Sequence, residues 1–291
     1  MKMRTLILSV LLINLLIACI YLIPWNRLLP EALITAAPLR PYADSPDADA
    51  IDAALQFLLH HEEQQRPSWQ VYALLHYLQR RFQLDEQYCI DNAFPEEHWP
   101  DYDREMACLF QRFTDTRYRI DPSLFPKEPK SLNRYLACAL YCDQIPIDDM
   151  YIQQLVALYE KDCTRPEPGY IATHAIFAAQ WLRELGCDAD YQAPLEGLWA
   201  RSADTLVDIV KREKVQTDLA FESIMLLYYT GHGERVDPSW LDSLRSLQRP
   251  SGAWAYRPED DDDGHPTALA LWVLLEHALP DAPKEPWLLP L

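Results

Sequence analysis

From Ala50 onward, apolar residues fall at the spacing of a helix face. Ile51, Ala54, Leu55, Leu58 and Leu59 form an i, i+3, i+4 stripe. A second stripe runs from Trp69 to Phe82, behind the start signal Pro67-Ser68. A weaker one covers Asp103 to Phe113, between a loop at 92–100 and a proline-marked connection at 121–129. Beyond Ser131 the rhythm is regular, and it predicts helices over 131–143, 148–160, 170–186, 194–212, 217–230, 238–248 and 266–279. Gly186 and Gly231 supply left-handed stops, while Asp237-Pro238 supplies a cap and a first-turn proline. The pattern predicts an all-α domain.

The predicted helices alternate in character. Those starting near Ser131, Thr173, Thr217 and Thr267 are apolar around most of their circumference, and the ones between carry more charge. Starts separated by 42, 44 and 50 residues are the spacing of a repeated helical hairpin. A helix apolar on all sides has to be covered on all sides, so these form an inner layer with the amphipathic helices outside. The most complete unit has Leu241, Leu244 and Leu247, then the turn Gln248-x-x-x-Gly252-x-Trp254, then Thr267-Ala-Leu-Ala-Leu. That unit resembles the repeat of the terpenoid cyclase and protein prenyltransferase superfamily. The resemblance is good over 237–279, looser over 168–231 and only rhythmic before that. It implies repeated hairpins in an α/α-toroid-like arrangement, and it says little about activity, because the superfamily holds cyclases, transferases, lyase-like toroids and binding domains.

The N-terminal stretch follows another pattern. Leu6 to Ile23 is apolar except for Ser9 and Asn14, with Lys2 and Arg4 before it and Trp25 after it. Residues 1–25 therefore read as a single-pass signal-anchor in contact with the membrane through 6–23, with the remainder on the periplasmic or extracellular side. A cleaved signal peptide competes, as does a lipoprotein modified at Cys19 of the lipobox-like Leu16-Ile17-Ala18-Cys19. All three readings export the rest of the chain. Residues 26–49, with four prolines and no sustained period, read as a spacer; residues 50–291 read as the helical domain, with 50–130 either part of the ring or a helical cap.

Composition narrows the function classes. Seven glycines against twenty-three prolines in 291 residues suit short helices punctuated by proline turns. A formal charge of −18 with no basic cluster excludes a nucleic-acid partner. Six cysteines lie beyond the anchor, at Cys89, Cys108, Cys138, Cys142, Cys163 and Cys187, which allows up to three disulfides in an exported chain or a set of buried thiols.

The acidic run Asp260 to Asp263 has the form of the DxDD acid motif of class II terpene cyclases, but Gly264-His265-Pro266 separates it from the Thr-Ala that follows in those enzymes. It reads as a solvated loop. It fails as an EF-hand, since the twelfth position is Ala270. His174, Asp218, Glu222 and His265 form a sharper constellation. Each lies near the N-terminal end of an inner helix, in three successive repeats, so the fold is expected to gather them at the mouth of one cavity. They are candidate catalytic residues, and His174, Asp218 and His265 are candidate ligands for a divalent metal such as zinc. Asp263-Gly264-His265-x-Thr267 resembles the prenyltransferase β-subunit segment that carries a zinc-binding His, although the Asp and Cys ligands expected one repeat earlier have no counterpart. The expected function is binding of an apolar ligand, peptide or glycan in a central cavity. A metal-assisted hydrolase or lyase, a terpenoid-cyclase-like enzyme and an envelope interaction scaffold are the alternatives.

Overall fold

A computed structural model describes residues 40–64, 69–84, 111–115, 117–121, 123, 132–165 and 169–291. The expected membrane anchor, the spacer as far as residue 39, Cys89 and Cys108 lie outside the described residues. Among the described residues no helix is long and apolar enough to cross a membrane.

Among the described residues the α-helices with defined bounds are, in order, α1 (Ala48–Gln64), α2 (Trp69–Phe82), α3 (Leu132–Leu140), α4 (Asp149–Cys163), α5 (Tyr170–Glu184), α6 (Gln192–Glu213), α7 (Asp218–Tyr229), α8 (Pro238–Ser246) and α9 (Gly264–Ala278). The apolar period explains their burial. In α7 every residue from Asp218 to Leu227 is buried, and in α9 so is every one from Pro266 to Glu276. Amphipathic α6 instead buries one face through Leu195, Leu198, Leu206 and Val210. The two central helices α7 and α9 belong to a series that packs in sequence, α3 on α5, α5 on α7, α7 on α9 and α9 on α2. Amphipathic α4 and α6 pack on each other and on α5, and α1 packs on α9. The helices α1 and α2 thus share the core with the later repeats rather than forming a separate cap.

Helix ends follow local chemistry. Asp148, Thr217, Asp237 and Asp263 each accept a hydrogen bond from a backbone N–H in the first turn of α4, α7, α8 and α9. No residue at the start of α5 does this. Asp162, buried near the end of α4, caps it instead by accepting from the N–H groups of Gly169 and Ala172. The Gln-Gly-Trp turn docks on α1: Gln248 donates to the carbonyl oxygens of Ala50 and Gly252. Gly252 has φ +90°, and a Cβ there would stand 2.2 Å from the Ala53 carbonyl oxygen, so both its backbone angle and α1 require glycine. The indole of Trp254 donates to the Leu244 carbonyl and closes the end of α8.

The folded unit begins at Arg40, before the helical period starts. Tyr42 and Asp47 are buried, and Asp47 accepts from Arg245 on α8 and His277 on α9. Residues 40–49 therefore belong to the domain and not to a spacer. Cys142 and Cys187 form a disulfide that ties the end of α3 to the end of α5, and Cys138 and Cys163 are free thiols.

The last segment has no regular structure, yet it is bound along its length. Tyr77 donates to the carbonyl of Glu285, Arg80 to those of Pro286 and Trp287, Arg81 to that of Pro283 and Arg112 to that of Leu289. The Leu288 N–H donates to Glu184. Between these tethers Trp287 enters an aromatic cluster, with ring centroids 4.4 Å from Phe113 and 5.3 Å from Tyr77 and Trp272.

Candidate functional site

Three helix starts meet at one cavity of about 90 Å³. His174 comes from the second turn of α5, Glu222 from the second turn of α7 and His265 from the first turn of α9. Each inner helix packs on the next with its N-terminal end on the same side, so residues far apart in sequence face one another. Phe177, Trp181 and Leu269 supply apolar walls, and Trp287 from the C-terminal segment supplies another.

The polar groups in this cavity are unequally satisfied. Glu222 is 4% exposed, and its Oε1 is buried without a hydrogen-bond partner. The nearest cationic candidate, His174 Nδ1, lies 3.7 Å away, beyond hydrogen-bonding distance. That nitrogen is 2.7 Å from the Tyr170 carbonyl oxygen. A carbonyl only accepts, so Nδ1 carries a proton and is already committed to the backbone. Nδ1 of His265 is likewise buried without a partner. Burial pushes the His265 ring below its ordinary value, reinforced by His174 and opposed by Glu222 and Asp263, so the ring is neutral at pH 7. Unpaired buried polar atoms cost about 1–3 kcal/mol each, and the residues lining this cavity hold four of them, the Trp181 and Trp287 indole N–H groups beside Glu222 Oε1 and His265 Nδ1, which is unusual for a purely structural arrangement.

Asp218 stands one turn before Glu222 but is not part of the cavity wall. Its Oδ1 accepts a 2.5 Å hydrogen bond from the Tyr170 hydroxyl. Tyr256, from the loop before α9, stacks on His265 with ring centroids 6.0 Å apart. Tyr170 and Tyr256 were not evident as site residues in the sequence; the only signal was their position beside the helix starts. The structure thus brings His174, Glu222 and His265 together and leaves Asp218 behind a tyrosine. The expected metal set of His174, Asp218 and His265 is not assembled in this geometry, because Asp218 is engaged by Tyr170 and His174 by its own helix. Among the described residues no three His, Cys, Asp or Glu side chains are grouped to hold a metal ion.

The acidic run stays outside the cavity. Glu259, Asp260 and Asp261 are exposed, Asp262 pairs with Arg249 at 2.8 Å, and Asp263 caps α9. A larger groove of about 260 Å³ between α3 and α4 includes Cys138 and Met150. None of its side chains leaves a buried polar atom unpartnered, so it lacks the feature that marks the Glu222 cavity.

Burial pushes the Asp218 carboxyl up to about 6, with the Glu222 charge adding to the rise and the Tyr170 hydrogen bond opposing it. A carboxyl raised above its ordinary 3.8 holds its proton more tightly in the folded chain than in the unfolded one. Its contribution is therefore most favourable below pH ~4 and is lost as the pH rises through about 6. Asp218→Asn keeps an acceptor for Tyr170 and removes the charge. The variant is expected to match wild type near pH ~4 and to exceed it by about 1–3 kcal/mol at pH ~7.5. A series of urea melts over that range checks this, and parallel curves for the two proteins would contradict it.

Comparison with protein-family models, curated proteins and solved structures returns no match for this chain.

Proposed function

We propose that the protein is a membrane-anchored, extracytoplasmic binding protein with an α/α-toroid-like domain that holds its ligand in the Glu222 cavity. The observation that carries this reading is the set of buried, unpartnered polar atoms, Glu222 Oε1, His265 Nδ1 and the indole nitrogens of Trp181 and Trp287, on the walls of a mostly apolar cavity. A few unsatisfied polar groups converging within apolar walls is the general form of a small-molecule site. The order of packing among α3, α5, α7, α9 and α2 supports the toroid arrangement, as does Phe113, which lies between α2 and α3 in sequence and packs on Trp181 and Trp287. The disulfide supports export, since such bonds persist in oxidising compartments.

A second reading has its own support. The His265 ring, depressed by burial, lines the cavity, and Asp218, raised to about 6, stands behind the Tyr170 hydroxyl just outside it, so an acid and a base with values moved toward each other flank the site. On this reading the same residues perform acid–base hydrolysis or elimination on the bound ligand.

The test is a thermal-shift screen of small polar and apolar compounds against wild type and Ala73→Leu. Ala73 lines the cavity, and three added carbons fill much of its volume. Compounds that raise the wild-type midpoint are expected to lose that effect in the folded variant. Hits that stabilise both proteins equally would place binding elsewhere. Turnover of a hit that ceases in His265→Gln would favour the catalytic reading.

A further inference from the structure

The side chains around Glu222 share one electrostatic character. Among the described residues no Lys or Arg lines the cavity. Beyond His174 and His265, the ionisable groups acting on the site are Asp218 and Asp263, both acidic, and the Tyr170 hydroxyl is spent on Asp218. The His174 N–H is spent on the Tyr170 carbonyl. A carboxylate buried to 4% exposure thus has no committed cationic partner within hydrogen-bonding distance.

Three helix N-termini would ordinarily favour an anion. Here one N–H group at each start is already capped by a side chain: Asp162 accepts from the start of α5, Thr217 from that of α7 and Asp263 from that of α9, two of the three caps being acidic. What remains in the cavity is the Glu222 oxygen, an unpartnered imidazole nitrogen, the Gln70 amide, two indole N–H groups and the rings of Phe177, Trp181 and Trp287; among the described lining residues Glu222 is the one acidic group. Aromatic rings attract a desolvated cation and do nothing comparable for an anion.

We infer that the cavity takes a small organic ammonium ion, a primary amine on a short alkyl or arylmethyl body, whose N–H groups donate to Glu222 Oε1 and His265 Nδ1. The apolar body lies against Phe177, Trp181 and Trp287. The inference rests on the cavity being a ligand site, as proposed above, and names what occupies it. A space of about 90 Å³ holds the head group and a few carbons, which sets the size of the probes.

The experiment uses the full chain in detergent at pH ~7.5, where a primary amine is charged. Three compounds of matched size, n-butylamine, n-butanol and butyrate, are titrated while the indole N–H signals of the tryptophans are followed by NMR. The benzyl series, benzylamine, benzyl alcohol and benzoate, is run alongside. The amines are expected to saturate with Kd values at least about tenfold lower than the alcohols, a difference of about 1.4 kcal/mol. The carboxylates are expected not to bind. Glu222→Gln is expected to bring amine and alcohol to within about threefold of each other. Equal binding of amine and alcohol to wild type, or tighter binding of the carboxylate, overturns the ammonium assignment while leaving a ligand site. Absence of saturable binding by all six compounds overturns the ammonium assignment, and only the wider screen above then decides whether the cavity binds anything. The wild-type comparison stands even if the Glu222 variant does not fold.

Discussion

Trp287→Ala is expected to destabilise the domain by about 3–5 kcal/mol, the usual cost of deleting a buried aromatic side chain. The residue is 5% exposed and lies in the last few positions of the chain, where a tryptophan would normally be dispensable. Here its ring stacks on Tyr77 at 29° between planes, contacts Phe113 and Trp272, and meets Phe177, Trp181 and Tyr229 at the edges of the same cluster. These rings come from α2, α5, α7, α9 and the segment before α3. Removing the indole leaves a hole that no single helix can close, and that hole opens into the Glu222 cavity. Urea denaturation should show a lower midpoint with little change in slope. Trp287→Phe should recover part of the loss. A loss below about 1 kcal/mol for Trp287→Ala would mean that the C-terminal segment is a surface strap and not part of the core.

Asp47→Ala is expected to cost about 2–4 kcal/mol, because it leaves two donors without their acceptor in the interior of the contact between α1, α8 and α9. Asp47 is fully buried and accepts from Arg245 Nε at 2.5 Å, from Arg245 Nη2 at 3.2 Å and from His277 Nδ1 at 2.6 Å. The figure stays below that of a fully enclosed ion pair because the Arg245 side chain is 29% exposed and can hydrate. The sign of the pH dependence is fixed by the same contacts. Burial alone would push the carboxyl up, but the hydrogen bonds and charges of Arg245 and His277 outweigh it and hold the group below its ordinary 3.8. Stability from this group is therefore complete above pH ~4 and disappears as the pH falls through the depressed value. The deficit of Asp47→Ala should be present above pH ~4 and should shrink in acid. A deficit that grows in acid would contradict the ion-pair account.

The helices were legible because their signals are local. The predicted 148–160, 170–186, 217–230 and 238–248 correspond to α4, α5, α7 and α8 within a few residues, and Gly186 and Gly231 take φ values of +71° and +88°. The end of α6 falls at Glu213, one residue from the predicted 212, although its stop is of another kind. It stops through left-handed Lys214 and Val215, with φ of 54° and 56°, where no glycine announces a stop and Val215 is a poor candidate for that region. The start of the domain was misread because Tyr42 and Asp47 are held by contacts to α1, α8 and α9 that have no period to detect.

The site was half legible. Repeat spacing alone placed His174, Glu222 and His265 at matching helix starts, and they do share a cavity. Asp218 occupies an equivalent position by the same rule, yet Tyr170 intercepts it, and only side-chain direction decides that. Trp287 carried one weak signal, an apolar Trp-Leu-Leu between prolines at the end of a polar tail. Its destination depends on Tyr77, Arg80, Arg81 and Arg112, about 180–210 positions earlier, and chain separation of that size leaves no pattern in the sequence.

On the proposed function, Glu222 is kept buried and unpartnered for a ligand at the expense of the ligand-free protein. The most direct test is the stability of the ligand-free Glu222→Met variant, which keeps about the same volume without the charge. If the carboxylate awaits a partner, the variant should be more stable than wild type by about 1–2 kcal/mol at pH ~7, since an uncompensated buried group is replaced by an apolar one. A variant less stable than wild type by more than about 1 kcal/mol would show that Glu222 already has a structural partner, and the cavity would lose its claim to be a binding site.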